Sequence, residues 1–272
     1  MYAYFIDDWV YNRKHHRQMD KLDLGLTQNG ISGRKFKLGR LHNIERSIEE
    51  CFSTGIKTFV AVGNDETASK LLNSLLKGEE DKKKKEENQK FTFAVIPVDD
   101  SSQCIASSLG SKSLQEAIKF LAVHKTNKID VGLINNRHYF ITAAVFPKDS
   151  SLSFQSYTVS SLKSGHHISV CNSNIYKKLD IKDKKTRFDI RDGLFDAVIA
   201  YHPDLSLMEK LRSSKASIDA FIPESIFPIK DITIKNKQKT ISIFADTDKQ
   251  MSTPVHLEVV PSLLSVVVGH DL

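Results

Sequence analysis

The sequence predicts an N-terminal parallel α/β domain over residues 1–125 and a mostly antiparallel β-sandwich over 126–272, whose last strands are free to pack back on the first domain. Three observations carry this expectation. Up to about residue 125, short apolar runs alternate with helical patterns. Beyond Lys125 the apolar residues follow the two-residue period of strands, and there only Leu205 to Arg212 has a helical pattern.

In the first part, Tyr2 to Ile6, Arg34 to Leu38, Thr58 to Val62 and Thr92 to Ile96 are rich in β-branched and aromatic residues. Their spacing of about 25 to 35 residues leaves room for crossover helices. Ile44, Ile48, Cys51 and Phe52 make a helical face, with Asn43 as N-cap and Gly55 just past the end. Leu71, Leu72, Leu75 and Leu76 make a second. Leu114, Ala117, Ile118 and Leu121 make a third, introduced by Ser113 with Glu116 in capping-box spacing.

In the second part, Ile129 to Ile134 and His138 to Phe146 flank Asn135-Asn136, a pair that tolerates positive φ and suits a tight hairpin. Further strands are expected at Ser153 to Val159, His166 to Cys171, Ala197 to Tyr201, Ser217 to Ile222, Ile232 to Lys235, Thr240 to Ala245, Val255 to Val260 and Leu264 to Val268. The histidine pairs His15-His16 and His166-His167 point to different faces of their elements and are expected at solvated surface.

Composition narrows the classes. The chain has 272 residues, 40% apolar and 26% charged, enough to bury a core and too apolar for disorder. The longest apolar stretch, Leu257 to Val268, is broken by Glu258, Pro261 and Ser262, and Asp7 and Asp8 interrupt the N-terminal apolar run. A cytoplasmic protein is therefore expected, with peripheral membrane contact left open. The three cysteines, at 51, 104 and 171, form neither a CxxC nor an even set, which speaks against a disulfide frame or a zinc site. The formal charge of +6 is partly held in the run Asp81-Lys82-Lys83-Lys84-Lys85-Glu86-Glu87, read as a solvated loop with no aromatic residue for stacking on bases. No nucleic-acid partner is expected.

Three turns could carry chemistry. Phe59 to Thr67 is an apolar strand that ends in Gly63-Asn64-Asp65-Glu66-Thr67 and opens a helix at about Glu66. At such a junction in a parallel sheet the first free N–H groups of the helix receive a phosphate, and an Asp beside it acts through Mg²⁺ or as a base. Alternatively Asp65 and Thr67 only cap the helix. Ile96-Pro97-Val98 followed by Asp99-Asp100-Ser101-Ser102-Gln103 is a second junction that could line the same cleft, or Ser101 and Ser102 are N-caps. Asp189-Ile190-Arg191-Asp192-Gly193-Leu194-Phe195-Asp196 supplies three carboxylates around a turn glycine, a set that suits a hard cation or is an Asp-Gly turn that binds nothing. GxSxG, Walker A, HExxH and GxGxxG are all absent.

Taken in order, these pieces resemble the diacylglycerol kinase catalytic family, which includes sphingosine kinases and bacterial lipid kinases and shares its nucleotide domain with NAD kinases. Gly63-Asn64-Asp65-Glu66-Thr67 stands where the family has Gly-Gly-Asp-Gly-Thr. Ile96-Pro97-Val98, then Gln103-Cys104-Ile105-Ala106-Ser107-Ser108-Leu109-Gly110, follows its second glycine loop with one extra residue in the turn. Lys128-Ile129-Asp130-Val131-Gly132 with Tyr139-Phe140-Ile141 is similar to its first β-domain hairpin, and Asp192-Gly193-Leu194-Phe195-Asp196 to its Asp-Asp-Gly-x-Leu-Asp segment. Asp246-Thr247-Asp248, Pro254 and Val259-Val260-Pro261 occupy the places of Asp-Gly-Glu, Pro and Val-Val-Pro.

The resemblance implies an ATP- and Mg²⁺-dependent kinase acting on a lipid hydroxyl at a membrane surface, and leaves a homodimer open. It implies that Gly63, Asn64, Asp65, Glu66, Thr67, Ala68 and Ser69 cradle the phosphates, with Lys37 and Ser101 also at nucleotide-contacting positions. It gives Asp65 the Mg²⁺ and Asp248 the part of general base. Asp192, with the carbonyls of Asp189 and Leu194, matches a structural magnesium site of bacterial members.

Several residues depart from the pattern. Asn64 and Glu66 replace glycines, and Glu66 sets a negative charge near phosphates, opposing them by about 1 to 4 kcal/mol. Asp7-Asp8 replaces Asn-Pro, Lys37 a threonine, and Asp99-Asp100-Ser101-Ser102 a glycine loop. Asp248 in place of Glu withdraws the carboxylate by roughly 1 to 1.5 Å, and such a misplacement can cost about 10²-fold. The alternative to a kinase is therefore a catalytically impaired relative of the same fold, kept as a binding or regulatory module.

Overall fold

The computed structural model describes residues 1–39, 43–82, 91–98, 104–154, 157–160, 166–176, 188–201 and 222–269. The chain divides into two compact units, Met1–Ile129 with Leu263–Leu272, and Asp130–Ser262.

The first unit is a parallel sheet between helices. Its strands are β1 (Tyr2–Asp7), β2 (Arg34–Leu38), β3 (Thr58–Gly63) and β4 (Thr92–Pro97), in the order β2-β1-β3-β4. The end of a later strand adds to β4, with Ser265 opposite Thr92. The helices are α1 (His16–Gln28), α2 (Ile44–Ser53), α3 (Asp65–Lys82), α4 (Cys104–Ser108) and α5 (Leu114–Val123). Alternation sorts the strand residues onto two faces. Tyr4, Ile6, Val60, Val62, Ala94 and Ile96 pack with Leu22 and Leu26 of α1 and with Leu114, Ala117, Ile118 and Leu121 of α5. The other face carries Phe5 and Phe59, with Phe52 of α2 at 4.9 Å from Phe59. Caps fall where the sequence puts them: Asn43 accepts from Arg46 N–H, and Ser113 from Glu116 N–H.

The second unit is a two-layer β structure. Its elements are β5 (Thr126–Ile134, shared with the first unit), β6 (His138–Phe140), β7 (Ala143–Phe146), β8 (Ser151–Phe154), β9 (Tyr157–Ser160), β10 (His166–Cys171), β11 (Phe195–Tyr201), β12 (Ile222–Ile229), β13 (Asp231–Lys235), β14 (Thr240–Ala245), β15 (Thr247–Ser252) and β16 (Val255–Val267, also shared). One layer is the six-stranded antiparallel sheet β12-β11-β10-β7-β14-β15. The other holds β16-β13-β8-β9 and the β5-β6 hairpin. Between them lie Ile134, Phe140, Phe146, Ile168, Val170, Phe195, Ile232, Ile234, Ile241, Ile243 and Leu257. Asn135 and Asn136 turn the hairpin at φ 49° and 53°. Gly132 pairs with Phe140, and a Cβ there would stand 2.1 Å from that ring, so only glycine admits the aromatic.

The structure corrects several sequence expectations. His138 to Phe146 is two strands, because the chain leaves one sheet and enters the other at Ile141-Thr142. Ser153 to Val159 is a hairpin, and the two strands expected either side of Pro261 are the single β16, with Ser262 at φ 51°. Helix α1 was not expected: it buries only Leu22 and Leu26, too sparse a stripe to read as periodicity. Strands β12 and β15 are edge strands, one holding Pro223 and Pro228, which an edge tolerates, the other a polar row. The histidine pairs differ in part: His16 is exposed as expected, but His15 is buried against Trp9, and His166 and His167 are each 7% exposed, so these three rings belong to the interior. The expected helix at 205–212, the strand start at 217–221 and the lysine run from 83 lie outside the described residues.

Candidate functional site

Sequence places the clearest junction at the carboxyl end of β3, and the structure builds it tightly. Gly63 carries no Cβ because one would lie 2.4 Å from Thr67 Oγ1, and its carbonyl accepts from Val98 N–H at 3.1 Å. Asn64 is the N-cap of α3: its Oδ1 accepts from Thr67 N–H at 3.1 Å, and its carbonyl from Ala68 N–H. Glu66 is exposed on the first turn, whereas Thr67, Ala68 and Ser69 are buried.

Asp7, the last residue of β1, reaches this junction. Thr67 Oγ1 donates to Asp7 Oδ2 at 2.7 Å and lies 3.1 Å from Asn64 Oδ1. Asp8 takes Lys37 Nζ at 2.7 Å, and the Lys37 ammonium also lies over the Tyr11 ring. The hydrogen bond to Asp8 raises the Lys37 pKa. Of the departures, Asp7 thus finds its partner in the junction, whereas Asp8 and Lys37 pair with each other at the exposed surface.

Asp65 is 2% exposed. Its Oδ2 accepts from Cys104 N–H at 2.8 Å and its Oδ1 from Ile105 N–H at 3.0 Å, so the carboxylate caps the N-terminus of α4. Hydrogen bonds to a charged acceptor contribute about 1.5 to 3 kcal/mol each, enough to hold the start of α4 against the start of α3. Residues 99–103, and with them Ser101, lie outside the described residues.

In the second unit the acids also hold main chain. Asp130 is fully buried, with Oδ2 accepting from Gly193 N–H and Oδ1 from Ser262 N–H, each at 2.7 Å. Its own carbonyl receives Asn172 Nδ2 at 2.9 Å. Asp192 is exposed and accepts from Leu194 N–H at 2.9 Å, closing an Asx turn, while Asp189 pairs with Arg191 and Asp196 accepts from Phe188 N–H. Although the residue is exposed, partial desolvation of its carboxyl, then the negative charges of Asp189, Asp196 and Asp130, raise the Asp192 pKa. Among the described residues no three His, Cys, Asp or Glu side chains converge as metal ligands; the expected set at Asp192 relies on the carbonyls of Asp189 and Leu194 instead.

Asp246 and Asp248 have opposite surroundings. Asp246, at φ 54° and 1% exposed, accepts from Ile141 N–H at 2.6 Å and from the Thr142 N–H and hydroxyl. This carboxylate fixes the turn by which the chain changes sheets. Asp248, opposite Phe244 on the edge strand β15, is exposed. Asp65 lies in the first unit and Asp248 in the second.

Sequence reasoning missed the acceptor roles of Asp7, Asp130 and Asp246, and a buried polar chain on β10. There His167 Nε2 lies 3.5 Å from Tyr176 Oη, which lies 2.6 Å from Ser169 Oγ, itself 3.4 Å from Cys171 Sγ. Their alternation along one strand face was legible. Burial pushes the Cys171 thiol up to about 12, so it stays protonated and is no nucleophile.

No protein-family model and no curated protein matches the chain by sequence. By structure it has a diacylglycerol-kinase-like fold. It is similar to a crystal structure described as a diacylglycerol kinase from Bacillus anthracis strain Sterne, with TM-score 0.68 and 12% identity over 99% of this chain and 97% of that one. Two further structures from the same organism, provisionally described as diacylglycerol kinases, match with TM-score 0.69 at 12% and 13% identity, over 98% of their chains. At such identity the likeness establishes the fold. No helix among the described residues is long and apolar enough to cross a membrane.

Proposed function

We propose that this protein keeps the diacylglycerol kinase fold as a binding module and is impaired in ATP·Mg²⁺-dependent phosphoryl transfer. The observation that carries the reading is the engagement of Asp65. The residue that the resemblance assigns to Mg²⁺ is 2% exposed, and each of its oxygens already accepts an N–H, from Cys104 and from Ile105. A hydrated Mg²⁺ needs open carboxylate oxygens, and these are turned inward, so the residues present do not fit the metal. The β-sandwich unit is then the binding part, with a lipid at a membrane surface as its partner.

A second reading, an active lipid kinase, is favoured by the likeness to structures described as kinases over 97–98% of their length and by the exposed carboxylate of Asp248. One experiment separates the two: ATP·Mg²⁺ binding and turnover with diacylglycerol or long-chain bases in anionic vesicles. The module reading expects no nucleotide binding at millimolar concentration and no phosphorylated lipid. Turnover that Asp65→Asn or Asp248→Asn abolishes would overturn it in favour of the kinase.

A further inference from the structure

The carboxyl ends of parallel strands and the first turn of the following helix form an anion site, and in this chain an anion is already there. We propose that Asp7 is the resident anion of the α3 junction and the residue that excludes phosphate groups from it. This rests on the reading that the junction no longer serves a nucleotide, and names what closes it.

Three contacts carry the inference. Thr67 has one hydroxyl proton, and Asp7 Oδ2 receives it at 2.7 Å. With that proton committed, Thr67 Oγ1 offers an incoming phosphate oxygen only lone pairs. The Thr67 N–H, the next donor on the same turn, goes to Asn64 Oδ1 at 3.1 Å. Lys37, a cation that could draw a phosphate in, is held by Asp8 at 2.7 Å. A carboxylate is the chemical stand-in for a phosphate oxygen here: acceptor-only, negative and matched to a hydroxyl donor. Asp7 sits on the last residue of a strand whose neighbours Ile6 and Phe5 are fully buried, so it is fixed by the sheet.

Removing the charge should open the site. Two unit charges about 4 Å apart repel by an amount worth about fivefold in affinity in bulk water, and about a thousandfold at the dielectric typical of a protein surface. Asp7→Asn is therefore expected to bind pyrophosphate at least about tenfold tighter than wild type, by isothermal titration calorimetry or ³¹P NMR. Adding Thr67→Val, which removes the hydroxyl donor, should reduce the gain and leave the part due to charge alone. Asp7→Ser serves beside Asp7→Asn, with thermal midpoints to establish that each is folded. The inference is overturned if neither neutral variant binds pyrophosphate more tightly than wild type, or if Thr67→Val leaves the gain undiminished. Its failure differs from that of the proposed function: lipid phosphorylation by the wild type removes the module reading, whereas the affinity ratio of variant to wild type decides the role of Asp7.

Discussion

Asp246 and Asp248 are two residues apart in sequence, yet the structure gives them opposite weights, and a pair of amide substitutions tests this. Asp246→Asn keeps the residue's shape and its tolerance of positive φ. The amide oxygen can still accept from Thr142 N–H, but the NH₂ that replaces Oδ2 faces Ile141 N–H donor to donor, so the Ile141 N–H loses its acceptor. Ile141 and Thr142 are both 0% exposed, so water cannot repair the loss. An unsatisfied buried donor costs about 1 to 3 kcal/mol, and the loss of a charged acceptor puts the expected destabilisation at about 2 to 3 kcal/mol. Asp248→Asn, on the exposed edge, is expected to stay within about 0.5 kcal/mol. Trp9, the chain's one tryptophan, lies in the first unit, so its fluorescence does not report on this turn. Hydrogen exchange of peptides spanning residues 139–146 in increasing urea does. Exchange in Asp246→Asn within about 1 kcal/mol of wild type would refute the reasoning, as would an equal loss in Asp248→Asn.

Two further outcomes are expected. In the native protein a thiol reagent should modify Cys104, which is exposed, well before Cys51 and Cys171, whose pKa values burial raises to about 11 and about 12; fast reaction of all three would contradict the packing. Asp192→Asn should raise the unfolding midpoint at neutral pH. The wild-type group has a raised folded pKa, so its favourable contribution is complete only below its unfolded value and is lost as pH rises through the folded one. The variant's advantage should therefore vanish below pH of about 4. Its amide oxygen still caps Leu194 N–H. Magnesium seated at Asp192 would add a second signature, a midpoint rise in wild type that the variant lacks.

The fold was legible where a strand is bounded by its own chemistry. Thr58–Gly63 is a β-branched and aromatic run with clear ends, Arg34–Leu38 alternates basic and apolar residues, and Asn135-Asn136 marks its hairpin by backbone tolerance alone. Edge strands escaped because their outer face need not be apolar, as Thr247–Ser252 illustrates. The phosphate-loop position was legible as a strand-to-helix junction, but its internal wiring was not. Asp130 holds Ser262 from 132 residues away, and Asp7 holds Thr67 from 60. Their partners are main-chain N–H groups or a single hydroxyl, and no local pattern encodes such a choice.

Strands β5 and β16 each change unit midway, at Ile129–Asp130 and Ser262–Leu263, so the second unit is an insertion within the first. During synthesis the open edge of β4 must then wait for the segment carrying Leu264 and Val266 until the whole insertion has emerged, about 8 to 34 s at ribosomal rates of roughly 5–20 residues per second. For that interval an apolar parallel strand lacks its neighbour, the condition under which nascent chains pair wrongly or recruit chaperones. A fragment ended at the apparent domain boundary would make that interval permanent, whereas one that joins 129 to 263 by a short turn would end it.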